Sequence, residues 1–259
     1  MSDIVLVQRD GVIATVVLNR PKKLNALNHA TWLRLRDVMH RLDADDTLRC
    51  VVLRGAGGKA FAAGADISEF AEHRKNVAEA KRYGEAEHNG VMAVAECRHP
   101  TVALIQGACV GGGLEIASAC DIRISGRSSR FGVPINRLGL TMAYPELQRF
   151  VATFGRAAAL ELLLEGSVVD AARAFALGLV NRVVADDQVE AEAYAAARRI
   201  AGGAPLVNRW HKQFMRRLLD PRPLTNADLD EAFAAFGTAD YQTGYRAFLE
   251  KRTPEFEGK

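Results

Sequence analysis

The sequence predicts an α/β protein followed by a helical C-terminal region, and three observations predict it. β-Branched runs alternate with amphipathic helical patterns up to about residue 185. Beyond that point helical patterns follow one another without a strand between them. Finally, three adjacent glycines, Gly111, Gly112 and Gly113, mark a crossing from an apolar strand into a helix.

Taken in order, GVIATVVLN (11–19), RCVVLRG (49–55) and TVALIQG (101–107) read as strands, being rich in Val, Ile and Thr. NHATWLRLRDVMHRLDADD separates the first two and places Trp32, Leu35, Val38, Met39 and Leu42 at helical spacing, with Asn28 suited to cap it. A second helical pattern runs from Ala78 to Cys97. LEIASAC forms a helix body after the glycines, and DIRIS (121–125) a further short strand. PLVNRWHKQFMRRLL, NADLDEAFAAFG and ADYQTGYRAFLEKR are amphipathic helical patterns, broken by Gly202-Gly203, Pro205 and the PRP of 221–223.

A chain of 259 residues, 49% apolar and 25% charged, can bury a substantial core. Its net charge of +3 is spread along the chain, so RRLLDPRPL and GRSSR read as solvated basic faces rather than a nucleic-acid footprint. No run approaches a membrane span, and MSDIVLVQRDG carries charge too early for a signal peptide, which implies a cytoplasmic protein. Cys50, Cys97, Cys109 and Cys120 lack metal-like spacing and sit in apolar segments, as buried reduced thiols do. The six histidines form neither HxxxH nor HExxH, so no metal site is expected.

The glycine crossing is where chemistry can enter. At the start of a helix the first N–H groups have no intrahelical partner and the dipole adds positive potential. Taken alone, glycines there serve tight turns and close packing just as well, and the spacing is not that of a phosphate loop. A second stretch, KAFAAGADISEF (59–70), also follows a strand with small residues, and Ser68 fits a helix N-cap. Two such loops suggest paired N–H donors converging on one oxygen, as in an oxyanion hole.

The chain resembles the crotonase, or enoyl-CoA hydratase/isomerase, superfamily over nearly its full length. The matching pieces are LNRPKKLNAL (18–27), AFAAGADI (60–67), GACVGGGLEIASACDIRIS (107–125), FGVP…LGL (131–140), A-x-x-LGLVNRVV (174–184) and AFLEKRTPEF (247–256). The resemblance implies a crotonase-like spiral of ββα turns over residues 1–200, binding an acyl-CoA thioester. Residues 201–259 form the helical region for oligomerisation and pocket cover. It also implies a homotrimer or hexamer, with apolar faces at Phe233, Phe236, Tyr245, Phe248 and Leu249. It requires no cofactor beyond the coenzyme A of the substrate, and no metal, membrane or nucleic-acid partner.

Carried over residue by residue, the resemblance puts the oxyanion-hole amides on Ala65 and Gly112. Coenzyme A then lies along Lys23, Leu24, Ala63, Asp66 and Ile67, and a side chain at Gly112 is expected to crowd the acyl group. Glu115 out of context reads as a helix-cap glutamate. Family hydratases have a catalytic glutamate at this position, which helps activate the water added across C2–C3. Their second glutamate follows the proline of FG-x-P, and here that position is Ile135, which cannot exchange a proton.

Thr141, Met142 and Ala143 supply no carboxylate in its place. Glu146 reads as a solvated acid in a helix's first turn, Tyr144 as a polar group near the pocket or a buried core tyrosine, and Asp66 as structural rather than catalytic. The expected activity is hydration of an enoyl-CoA through a thioester enolate, with Glu115 as acid/base. Double-bond isomerisation, another crotonase-family reaction, or CoA-thioester binding with little catalysis are the alternatives.

Overall fold

A computed structural model of the chain describes residues 3–259. β1 (Val5–Asp10) and β2 (Ile13–Leu18) form an antiparallel hairpin whose two-residue turn starts at Gly11, with φ 56°. β1 carries no alternation to read, because it runs from the buried Val5 to the exposed Gln8, Arg9 and Asp10 at the sheet edge. α1 (His29–Asp43) follows, capped by Asn28, whose side chain accepts from the Thr31 N–H at 2.9 Å.

Next come β3 (Cys50–Gly55), β4 (Ala60–Ala62), the single turn α2 (Phe70–His73) and α3 (Val77–Glu96). β5 (Thr101–Ile105), β6 (Ala108–Val110) and α4 (Gly112–Ala119) repeat the pattern. So do β7 (Ile122–Gly126), β8 (Arg130–Gly132), α5 (Tyr144–Phe154) and α6 (Arg156–Glu165). β9 (Val168–Asp170), α7 (Ala171–Ala176), β10 (Arg182–Val184) and α8 (Val189–Ala201) close the core.

Six strands make one sheet in the order β1-β2-β3-β5-β7-β10, parallel from β2 onward. Four make a second, β4-β6-β8-β9, with only β9 antiparallel. After β3, β5 and β7 the chain steps from the first sheet to the second and returns through helices. Three successive ββα turns result, the spiral that the resemblance implies. The three-residue strands of the second sheet are too short for sequence periodicity to reveal.

Alternation along β3 shows why the first sheet reads as a continuous apolar run. Val51 and Leu53 face the main core with α1, α3 and α4, while Cys50 and Val52 face α8. All four cysteines are free and buried, and burial pushes the Cys50 thiol up to about 12. Trp32 of α1 is fully buried, filling the space between Gly90 of α3 and Gly112 of α4. Its burial contributes on the order of 3 kcal/mol and ties α1 to the helix that opens the glycine crossing.

The C-terminal patterns form α9 (Pro205–Arg217), α10 (Asn226–Glu231) and α11 (Ala239–Leu249). Phe233, Phe236, Phe248 and Leu249 are exposed on this single chain. Among the described residues, no helix is long and apolar enough to cross a membrane.

Candidate active site

Two loops meet at one cavity of about 840 Å³, the loop after β4 and the crossing between β6 and α4. The first loop is held by Leu27, which bridges Ala65 in parallel register. The Leu27 N–H donates to the Gly64 carbonyl at 2.8 Å, and the Asp66 N–H donates to the Leu27 carbonyl at 2.9 Å. Parallel pairing uses the neighbours of Ala65, so its own amide points away from the bridge.

Leu27 is itself held by the turn before it. Asn25 there sits at φ 56°, with its side chain donating to the carbonyls of Ala56 at 3.0 Å and Ala60 at 2.8 Å. Asparagine tolerates that left-handed conformation because its short amide can bond nearby backbone.

In the second loop Gly111 takes φ 52° and donates its N–H to the Gly132 carbonyl at 2.9 Å. Its carbonyl accepts from Leu114 and Glu115, leaving Gly112 as the first helical residue. Among the described residues, neither the Ala65 nor the Gly112 amide has a hydrogen-bond partner, and both residues line the cavity. The loops touch: a Cβ on Gly111 would lie 3.6 Å from the Gly64 Cα.

Core packing by itself keeps side chains off the other two glycines. A Cβ on Gly112 would lie 2.9 Å from the Trp32 ring and 3.1 Å from a Leu27 methyl. One on Gly113 would lie 2.3 Å from the Ala62 carbonyl oxygen. Close packing excludes side chains here, while the amides stay available.

Glu115 is 7% exposed, lines the cavity, and leaves Oε2 without a partner. It is no helix cap, because the cap residue's N–H is taken by Gly132 and no side chain bonds it. Burial first, then the charges of Glu87 and Glu146, push its carboxyl well above the usual range.

Glu87 of α3 lies within hydrogen-bonding reach of Glu115. It is raised by burial too, but the Arg74 guanidinium opposes this from 2.9 Å. Arg74 is stacked over the rings of Tyr83 at 4.1 Å and Phe70 at 4.7 Å, which fixes it in place. Arg74 therefore leaves the higher proton affinity on Glu115 rather than on Glu87.

Glu146 corrects the sequence expectation. Rather than a solvated first-turn acid it is 8% exposed, lines the cavity and meets His88 Nδ1 at 2.9 Å through Oε1. Tyr144 is neither pocket group nor core residue but 89% exposed. The sequence reading missed Glu87, His88 and Arg74 altogether. The available signal was helical phase: Glu87 shares a stripe with the buried Tyr83, Val91 and Val94, and Glu146 with Phe150 and Phe154. A carboxylate inside an apolar stripe is the informative exception.

Of the remaining expected residues, Ala63, Ile67 and Ile135 line the cavity, whereas Lys23, Leu24 and Asp66 do not. The Leu24 carbonyl accepts from the Ala63 N–H at 3.1 Å, so that turn borders the cavity wall. Lys23 is exposed, its Nζ 3.9 Å from Asp66. Asp66, not Ser68, is the cap of the turn 67–69: its carboxylate accepts from the Ser68 N–H and hydroxyl and pairs with Arg20 at 2.8 Å. These bonds hold the Asp66 carboxyl down at about 2. Among the described residues, no three His, Cys, Asp or Glu side chains are arranged to hold a metal ion.

A family model described as enoyl-CoA hydratase/isomerase matches residues 8–259. A short-chain-enoyl-CoA hydratase of Clostridium acetobutylicum is 34% identical, with 97% of this chain and 96% of that protein aligned. A crotonyl-CoA hydratase of Syntrophomonas wolfei is 33% identical, with 98% of each covered. The crystal structure of an enoyl-CoA hydratase/carnithine racemase from Magnetospirillum magneticum superposes with TM-score 0.98 at 50% identity, covering 100% of this chain and 97% of the other. On this full-length agreement of sequence and architecture, the chain belongs to the enoyl-CoA hydratase/isomerase, or crotonase, family of enzymes.

Proposed function

We propose that the protein hydrates an enoyl-CoA through a thioester enolate, with the Ala65 and Gly112 amides on the carbonyl oxygen and Glu115 as acid/base. One observation carries this reading: two unpartnered main-chain N–H groups and an unpartnered buried carboxyl oxygen border the same cavity. Negative charge gathering on the thioester oxygen meets both donors and the positive end of α4. Glu87, paired with Arg74, keeps the proton on Glu115, so the free site holds a carboxylic acid ready to serve C2.

In this reading residues 1–200 bind the acyl-CoA in a cytoplasmic enzyme. Ala63 and Ile67 line the cavity, and Lys23 and Leu24 border it where the CoA moiety would lie; Lys23 offers an exposed ammonium for its phosphates. Asp66 shapes this wall from behind, since its carboxylate is committed to Arg20 and Ser68. Residues 201–259 mediate assembly into a trimer or hexamer through the exposed Phe233, Phe236, Tyr245, Phe248 and Leu249. No residue of 201–259 lines the cavity of its own chain, so pocket cover from this region would come from a second copy.

The test is steady-state hydration of crotonyl-CoA and longer enoyl-CoAs, with acyl-CoA affinity measured in parallel. Turnover lost in Glu115→Gln with affinity retained is the expected result. Tight thioester binding without turnover in the wild type would make this a binding protein instead. Conversion of a 3-enoyl-CoA to its 2-enoyl isomer without hydration would make it an isomerase.

A further inference from the structure

The hydration reading leaves one proton without a handler. Water adding across a double bond delivers hydroxyl to C3 and a proton to C2, and one carboxyl group attends one of these carbons at a time. Ile135 lines the cavity but exchanges no proton. Glu87 is tied to Arg74 and to Glu115, so its charge is already committed.

Glu146 is placed differently. It enters the same cavity from α5 rather than from α4, with its side chain 7% exposed. Oε1 faces His88 Nδ1 at 2.9 Å, while Oε2 has no hydrogen-bond partner among the described residues. The His88 side chain is 37% exposed, so the pair runs from the buried carboxylate to solvent. Its charge also acts on Glu115, placing the two groups within electrostatic range of one substrate.

We propose that Glu146, oriented by His88, is the second acid–base group of this site and takes the proton of the water that attacks C3, leaving C2 to Glu115. This rests on the enoyl-CoA hydration reading above. The water oxygen forms the C3–O bond as the C2–C3 π pair moves toward C1 and the carbonyl π pair onto the oxygen between Ala65 and Gly112. Glu146 accepts one proton of that water. As the enolate collapses, the electron pair at C2 takes the proton of Glu115. One water has then been added, Glu146 has gained a proton and Glu115 has lost one. As product leaves, Glu146 returns its proton to solvent and solvent reprotonates Glu115, while His88 Nδ1–H stays on Oε1 and holds the carboxylate in place.

The test compares two reactions of the intact enzyme: hydration of crotonyl-CoA, and exchange of the C2 protons of butyryl-CoA in D2O. Exchange needs only the oxyanion donors and Glu115; hydration also needs the group at C3. In Glu146→Gln, hydration falls about 10²–10⁴-fold while exchange stays within a factor of a few of wild type. Glu115→Gln loses both reactions. His88→Ala slows hydration, and imidazole added to the buffer restores it, which a loss of packing alone would not allow. If Glu146→Gln does not fold, Glu146→Asp draws the carboxyl back by one methylene, and the ratio of hydration to exchange must still drop. An unchanged ratio in the folded variant, whether both rates fall together or neither does, overturns the role of Glu146 and leaves the hydration reading standing. A wild type that neither hydrates nor exchanges sinks that reading first, and this one with it.

Discussion

On one wall of the cavity the polar groups are main-chain amides, at Ala65 and Gly112. On the other they are carboxyls from three separate helices, Glu87 of α3, Glu115 of α4 and Glu146 of α5. The amide wall is set by backbone geometry, a parallel bridge at Leu27 and a left-handed Gly111. The carboxyl wall exists only because three helices pack together around it. Changes on the first wall therefore act through backbone shape, and changes on the second through charge and proton affinity.

The sharpest way to break this comparison is Glu115→Gln, for which kcat is expected to fall about 10²–10⁴-fold. The same substitution is expected to raise stability at alkaline pH. A carboxyl raised by burial stabilises the fold fully below its ordinary value of 4.5 and loses that contribution as pH rises through its folded value. Glutamine does not titrate, so the variant's advantage in chemical denaturation should grow as pH rises above 4.5 toward the raised folded value of Glu115. An advantage that shrinks over that range would mean Glu115 is not a buried acid.

The matching probe of the amide wall replaces the backbone amide at position 65 by an ester, deleting one N–H and nothing else. Turnover is expected to drop about 10²–10³-fold. Stability should change little, since that N–H bonds nothing within the described chain.

Next in size are the glycines. Gly113→Ala sets a methyl against the Ala62 carbonyl, which cannot swing aside, and should cost about 3 kcal/mol or more of folding stability. Gly112→Ala meets the Trp32 ring and a Leu27 methyl, which can yield in part, and should cost about 1–3 kcal/mol with acyl-CoA affinity little changed. A collapse of affinity at unchanged melting temperature would instead turn that Cβ toward the acyl group.

The smallest effect concerns the acid on the far side of the first loop. Asp66 and Glu115 are both buried carboxyls, yet one is held down by Arg20 and Ser68 while the other is pushed up for want of a partner. Asp66→Asn is expected to cost about 2 kcal/mol at neutral pH. A depressed carboxyl contributes above its ordinary value of 3.8 and loses that contribution as pH falls through about 2, so the deficit should narrow over that window. A deficit independent of pH would mean that the lost interaction is packing, not charge.

Long elements could be read in sequence because their periodicity repeats: α1 with its Asn28 cap, α3, and the parallel strands β2, β3 and β5. The three-residue strands of the second sheet carry no period to read. At the site, Ala65, Gly112 and Glu115 were singled out through the resemblance carried by AFAAGADI and GACVGGGLEIASACDIRIS, since Glu115 out of context reads as a helix cap, and all three line the cavity. Glu146 was visible but misjudged, since position in a first turn says nothing about which neighbour covers it. Arg74, Glu87 and His88 lie in α3 and the turn before it, with no motif of their own.

By itself the sequence determined the alternation of strand and helix, the two loops of small residues and the absence of a carboxyl at Ile135, because these depend on neighbours along the chain. Only the tertiary structure decided that Glu87, Glu115 and Glu146 share a cavity and that Glu115 is pushed well above the usual carboxyl range. Proton affinity depends on burial and on charges brought from 28 residues before Glu115 and 31 after it, distances over which local pattern carries no information.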